Sequence, residues 1–149
     1  MLLREMCMPD VVYCGPDTRV AEAAQLMRGK HVGDLVVVED PTGERIPIGV
    51  VTDRDLVVEV LAKELDPATT KLVDIMRTPV VVAAETEDTA QAIERMRTHG
   101  VRRIPVVGEG GALVGIVTLD DLLKQFAADA NALIDVVVKG QSHEHRARR

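Results

Sequence analysis

The sequence predicts a mixed α/β (α+β) protein made of two β-α-β-β-α repeats packed about a pseudo-twofold axis. Three observations carry this. Gly49-Val50-Val51-Thr52-Asp53-Arg54-Asp55-Leu56 returns as Gly115-Ile116-Val117-Thr118-Leu119-Asp120-Asp121-Leu122. Val20-Ala21-Glu22-Ala23-Ala24-Gln25-Leu26-Met27 returns as Thr89-Ala90-Gln91-Ala92-Ile93-Glu94-Arg95-Met96, and Met6-Cys7-Met8-Pro9 as Met76-Arg77-Thr78-Pro79. Within each copy the apolar spacing switches between strand and helix periods. Self-similarity at a fixed period marks a duplicated unit that buries its apolar faces against its twin.

Each copy opens with a short β-rich run, Val11-Val12-Tyr13 or Val80-Val81-Val82. Asp17-Thr18 and Glu87-Asp88 then signal helix starts. Val20, Ala23, Ala24 and Met27 fall on one helical face, as do Ala92, Ile93 and Met96. Leu35-Val36-Val37-Val38 and Ile104-Pro105-Val106-Val107 read as buried strands, each turning into a second strand around Gly49 or Gly115. Unbroken apolar strands imply a sheet covered on both faces. The copies differ by three residues, because Met27 to Met96 is 69 positions and Gly49 to Gly115 is 66. The surplus falls in the turn Asp40-Pro41-Thr42-Gly43-Glu44-Arg45, where a duplicated fold tolerates it. Final helices are expected over about Asp53–Glu64 and Asp120–Ala132, with the segment 132–138 left open between helix, strand and cover. The division is then 1–66, first repeat; 67–74, linker; 75–138, second repeat; 139–149, a flexible basic tail.

Composition narrows the function. The chain has 149 residues, 46% apolar but 1% aromatic, so its core is aliphatic and it lacks the stacking platforms that single-stranded nucleic acid needs. A formal charge of −6 opposes binding to nucleic-acid phosphates. Cys7 and Cys14 have no partners at zinc spacing, and no metal site is expected. With no signal peptide and no apolar run of about 18 residues, a cytoplasmic protein without membrane contact is expected. His31 and His99 fall at matched helix ends and read as caps or exposed residues, and His143 and His145 fall in the tail. No nucleophile-base set or phosphate-cradling GxxxxGK[ST] loop is present, so no catalytic residue, catalytic cofactor or enzyme activity is expected.

A Met-x-x-Pro entry, a helix, a strand near Pro-Val-Val and a Gly-h-h-Thr-x-x-Asp element before a helix (h, hydrophobic) together resemble the CBS domain, over roughly 6–65 and 75–134. The resemblance implies a regulatory pair with two clefts, each using the Thr-x-x-Asp motif of one repeat and a base pocket mainly from the other. It implies adenosine ligands (AMP, ADP, ATP, S-adenosylmethionine, sometimes NAD) and a homodimer.

Carried onto these residues, the first cleft uses Thr52, Arg54 and Asp55 with Arg102 or Arg103 for phosphate, Thr78, Val80 and Val81 as the adenine wall, and Ile104 and Pro105 beside them. The second uses Thr118 and Asp121 with Val11, Val12 and Asp34, where an aspartate opposes phosphate. A carboxylate can accept both hydroxyls of a ribose diol, and Gly49 and Gly115 would let the backbone approach a ligand closely. Thr and Asp are equally suited to cap the helices they precede. The functional expectation is a nucleotide sensor read by a separate effector protein. A ligand-free dimerisation or docking scaffold is the alternative.

Overall fold

The computed structural model describes residues 1–148. They form two compact units, residues 1–117 and the residues from Thr118 onward. The first unit contains two three-stranded sheets of identical order. In one, β1 (Tyr13–Cys14) pairs parallel to β2 (Asp34–Glu39), and β2 pairs antiparallel to β3 (Ile46–Thr52). In the other, β4 (Ala83–Ala84) pairs parallel to β5 (Arg103–Val107), whose other neighbour is β6 (Leu113–Thr118). A short helix, α1 (Leu3–Met6), opens the chain. The helices α2 (Val20–Lys30) and α4 (Thr89–His99) follow the first strand of each sheet, and α3 (Asp53–Leu56) follows β3.

The continuous apolar strands serve two cores. Leu35 and Val37 of β2 pack with Val20, Ala23 and Met27 of α2, while Val36 and Val38 point the other way onto Leu113 and Ile116 of β6. Alternation along one strand thus joins sheet to helix on one face and sheet to sheet on the other. Ala24, expected in the helix stripe, is exposed, and Leu26 packs against the core instead. Ile93 is likewise at the margin, with Ala92 and Met96 buried.

The first strands begin two and three residues later than expected, β1 at Tyr13 rather than Val11 and β4 at Ala83 rather than Val80. Val11 and Val12 pack against the two cores just before β1, and Val80 and Val81 precede β4. Only the two residues that meet β2 or β5 in register have a ladder to join.

The linker is part of the first half's structure. Asp17-Thr18 does not cap α2; the residue before the helix is Arg19, with no side-chain cap. The first helical N–H groups, of Val20 and Ala21, donate instead to Thr70 O (2.9 Å) and Pro67 O (3.0 Å) of the linker. These satisfy donors that a helix start leaves open. Leu72 is fully buried in the same core, and Leu72 N donates to Thr18 O at 2.9 Å. The N-terminus does the reciprocal job for the second half. Leu3 N donates to Glu87 O and Thr89 N to Met1 O, and Leu3 is fully buried. Each repeat is therefore completed by the segment preceding the other.

Gly49 and Gly115 explain how these segments pass. A Cβ on Gly49 would stand 2.6 Å from Met76 Sδ, and one on Gly115 would stand 2.8 Å from Cys7 Sγ and 2.9 Å from Met8 O. The close approach expected of a ligand is made by the protein's own chain.

At α4, Asp88 accepts from Gln91 N while Gln91 accepts from Asp88 N, a reciprocal capping box. His31 and Gly100 end α2 and α4 in the left-handed conformation, φ 55° and 63°. His99 Nδ1 lies 2.9 Å from Arg95 O. Beyond α3 the expected helix widens into a π-type turn, Val57–Leu61, with Ala62 N bonding Val57 O at 2.8 Å.

The second unit is a single helix, α5 (Leu119–Ala147). It runs through 132–138, and through the residues expected to form a loose basic tail. No proline interrupts 119–147, and alanine, leucine, lysine and glutamine favour helix. Among the described residues no helix is long and apolar enough to cross a membrane.

Candidate functional site

The first unit holds a cavity of about 270 Å³ lined by three stretches distant in sequence. The end of β3 and the start of α3 contribute Val50, Thr52, Asp53 and Arg54. The segment entering β4 contributes Arg77, Pro79, Val80 and Val81, and the α4–β5 turn contributes residues 100–103. A bridge fixes the first two stretches together, because Arg77 N donates to Val50 O at 3.1 Å. The left-handed Gly100 ends α4 and turns Val101 and Arg102 into the cavity wall.

The wall has an apolar part, Val50, Pro79, Val80, Val81 and Val101, and a cationic part of four arginines. Two arginines carry internal partners. Arg77 Nε lies 3.3 Å from Asp55 Oδ1, and Arg103 Nη1 lies 2.6 Å from Asp34 Oδ1. Arg54 and Arg102 form no ion pair among the described residues. Asp53 lines the same space, its backbone N–H held by Gly33 O at 2.9 Å.

Asp55 is buried at 6% exposure. Its carboxylate accepts from Thr52 N at 2.9 Å, while Thr52 Oγ1 accepts from Asp55 N at 3.2 Å. The Thr-x-x-Asp motif is thus a reciprocal helix cap here, and the expected acceptor for a ribose diol is occupied by its own helix start and by Arg77. Thr118 and Asp121 repeat this cap at α5: Thr118 N donates to Asp121 Oδ2 at 3.1 Å, and Asp121 N donates to Thr118 Oγ1 at 3.2 Å.

Of the residues expected in the first cleft, Thr52, Arg54, Val80, Val81, Arg102 and Arg103 meet at the cavity. Thr78 is exposed and outside the lining, and Ile104 and Pro105 are buried in β5. Asp34, expected to oppose phosphate in the other cleft, is bound to Arg103 of this one. Position 34 opens β2, and its pairing with Thr52 brings it beside the cavity. Burial raises the Asp34 pKa, a rise that the Arg103 charge opposes and Asp53 adds to. The sequence reading missed Val50, Asp53, Arg77, Pro79 and Val101. Arg77 had a signal, since it lies within Met76-Arg77-Thr78-Pro79, the motif that enters the second repeat.

The CBS domain family matches residues 3–62 and 72–128. The chain belongs to the CBS-domain family. Its two CBS domains resemble an uncharacterised protein of Methanopyrus kandleri, 35% identical over 120 residues, covering 80% of this chain and 60% of that one. They also resemble the inosine-5'-monophosphate dehydrogenase of Methanocaldococcus jannaschii, 34% identical over 121 residues, or 81% of this chain but 23% of the dehydrogenase. The chain thus spans less than two thirds of either relative.

Among solved structures, Hypoxic Response Protein I with two coordinated zinc ions superposes with a TM-score of 0.74 at 31% identity, covering 83% of this chain and 98% of that protein. A CBS domain protein of Pyrobaculum aerophilum complexed with AMP superposes with a TM-score of 0.72 at 27% identity, covering 82% and 90%. In this CBS pair, no group of three His, Cys, Asp or Glu side chains suited to a metal occurs among the described residues.

Proposed function

We propose that this CBS pair is a regulatory sensor whose cavity takes an adenosine-containing ligand bearing phosphate, and that a separate effector protein reads the occupied state. One observation carries the reading. The cavity lining joins apolar side chains to two arginines, Arg54 and Arg102, that form no ion pair among the described residues. A purine suits Val80, Val81 and Val101, and a phosphate suits the forked donors of arginine. The volume is close to the lower end, roughly 300 Å³, of small-molecule pockets. The AMP complex of the Pyrobaculum relative supports the same ligand class. The internal pairing of Arg77 and Arg103 leaves charge for a short phosphate group rather than a long polyanion, so AMP and ADP lead the panel.

Thermal unfolding with AMP, ADP, ATP, NAD and S-adenosylmethionine tests this. A ligand at 100 times its Kd adds about 2.7 kcal/mol, a rise of several degrees. The rise is expected with an adenosine phosphate and is lost in Arg102→Ala. No rise with any of the five would reject the sensor.

A second reading, a ligand-free dimerisation or docking scaffold, is favoured by the exposed Leu133, Ile134, Val136, Val137 and Val138 of α5. Self-association untouched by all five ligands would select it.

A further inference from the structure

Of the four arginines that line the cavity, Arg77 has a pinned main chain and a loosely held side chain. Its N–H donates to Val50 O at 3.1 Å. The preceding Met76 passes so close to Gly49 that a Cβ there would stand 2.6 Å from its Sδ. The Arg77 side chain, by contrast, is 62% exposed. Among the described residues it meets one carboxylate, that of Asp55, with Nε 3.3 Å from Oδ1. Charge-assisted N–H···O bonds favour about 2.7–2.9 Å, so this contact is long. The Arg103–Asp34 pair beside it is much shorter, at 2.6 Å. The two Nη groups of Arg77 have no acceptor among the described residues.

Asp55 is held in the opposite way. It is buried, and Thr52 N fixes its Oδ2 at 2.9 Å. Among the described residues Oδ1 accepts from Arg77 alone. A buried carboxylate oxygen stripped of its donor is costly, because neither water nor protein replaces the lost bond. Arg77 can therefore leave Asp55 only when another donor arrives there. It leaves readily when an anion in the cavity receives the guanidinium. One molecule that carries both a hydroxyl and an anionic group supplies both conditions.

We propose that Arg77 is a latch on the cavity. Without ligand it covers the free oxygen of Asp55. On binding it swings onto the ligand's phosphate, and a sugar hydroxyl takes its place on Asp55. The proposal rests on the nucleotide reading of the cavity and deepens it, because it makes Arg77 a residue that sets specificity.

The exchange is balanced. Arg77 trades one anion for another, and Asp55 trades one donor for another, so no buried charge is left alone. A nucleoside phosphate completes both halves. A nucleoside without phosphate must displace Arg77 and offers it no anion, so the latch opposes it. The pinned backbone confines the motion to the side chain, and neither sheet has to rearrange.

The test uses Arg77→Met, which keeps an unbranched apolar stem and removes the guanidinium. Adenosine and AMP are each titrated into wild type and Arg77→Met, and Kd is read from the backbone amides by NMR. The latch predicts changes of opposite sign. Adenosine should bind Arg77→Met more tightly, by up to about fivefold, the span of a largely exposed ion pair. AMP should bind it about tenfold more weakly, for want of a charged phosphate contact. An arginine that only touches phosphate would weaken AMP and leave adenosine unchanged, and a purely structural arginine would weaken both. Either result overturns the latch while AMP binding to the wild type still upholds the cavity reading. A wild type that binds neither compound overturns both. Side-chain NMR of isotopically labelled wild type gives a second readout that needs no altered site. The Arg77 Nε–Hε signal, assigned by its loss in Arg77→Lys, should shift as AMP saturates. A signal unmoved at saturation would overturn the latch.

Discussion

Replacing Gly115 by alanine tests the interlocking of the two halves at its tightest point. The added Cβ would lie 2.8 Å from Cys7 Sγ, 2.9 Å from Met8 O and 3.3 Å from Cys7 Cβ. The sulfur can rotate away, but the carbonyl is held. Ile116 N donates to Met8 O at 3.1 Å, and Met8 N donates to Ile116 O at 2.9 Å, so moving Met8 strains both bonds. Forcing an extra carbon into such a site costs about 1–3 kcal/mol. The stiffer unfolded chain returns about 0.4–1 kcal/mol. The net loss is therefore up to about 2.6 kcal/mol and centred near ~1.3 kcal/mol, which at the centre is a fall in Tm of roughly 3–5 °C for a chain of this size.

Gly49→Ala should cost less, because its nearest obstacle is the flexible end of Met76, with Sδ at 2.6 Å and Cγ at 2.8 Å. Gly29→Ala in α2, where a Cβ meets nothing within 4 Å, should hold or raise Tm. Differential scanning calorimetry of the three variants gives the order directly. Gly115→Ala as stable as Gly29→Ala would refute the crossing-segment account.

Further expectations concern charge. Asp34→Asn removes the carboxylate that neutralises Arg103, so nucleotide affinity by isothermal titration calorimetry should rise several-fold. Because burial holds the Asp34 pKa above its usual value, wild-type affinity should also strengthen as pH falls toward that raised value, where the carboxyl protonates and frees Arg103. The groups facing it are Arg103 and Asp53, and the trend should vanish in Asp34→Asn. Burial pushes the Cys14 thiol up to about 11. The unfolded thiol ionises first as pH rises, so stability is full below about pH 8.5 and is lost by up to ~1.4 kcal/mol per pH unit on the way to the folded value. Urea titrations from pH 8 to 11 should show a shallower loss for Cys14→Ala. Asp55→Ala removes the cap on Thr52 N and should cost about 1–2 kcal/mol in urea unfolding. Its pair with the largely exposed Arg77 adds little.

The duplicated architecture was readable because repeated apolar periods leave a trace in every copy. The cavity was readable in part. Thr52, Arg54, Val80, Val81, Arg102 and Arg103 lie in or beside the repeated motifs, and they converge. What was not readable depends on contacts between halves. No local pattern says that Gly49 clears a path for Met76, that linker carbonyls complete α2, or that Asp34 reaches Arg103. Valine runs are equally suited to a strand, a core edge and a cavity wall, which is why Val11–Tyr13 and Val80–Val82 placed both first strands too early. The extent of α5 was not readable because the apolar run at 133–138 suits a helix, a strand or a covering segment equally well.

The central claim, that the cavity beside Arg54 and Arg102 is an adenosine-nucleotide site, is tested most directly by titrating AMP into isotopically labelled protein and following the backbone amides by NMR. The account predicts saturable shifts concentrated at Thr52–Arg54, Val80–Val81 and residues 100–103, lost in Arg102→Ala. An absence of shifts, or shifts centred on Val11–Val12 and Thr118–Asp121, would contradict it.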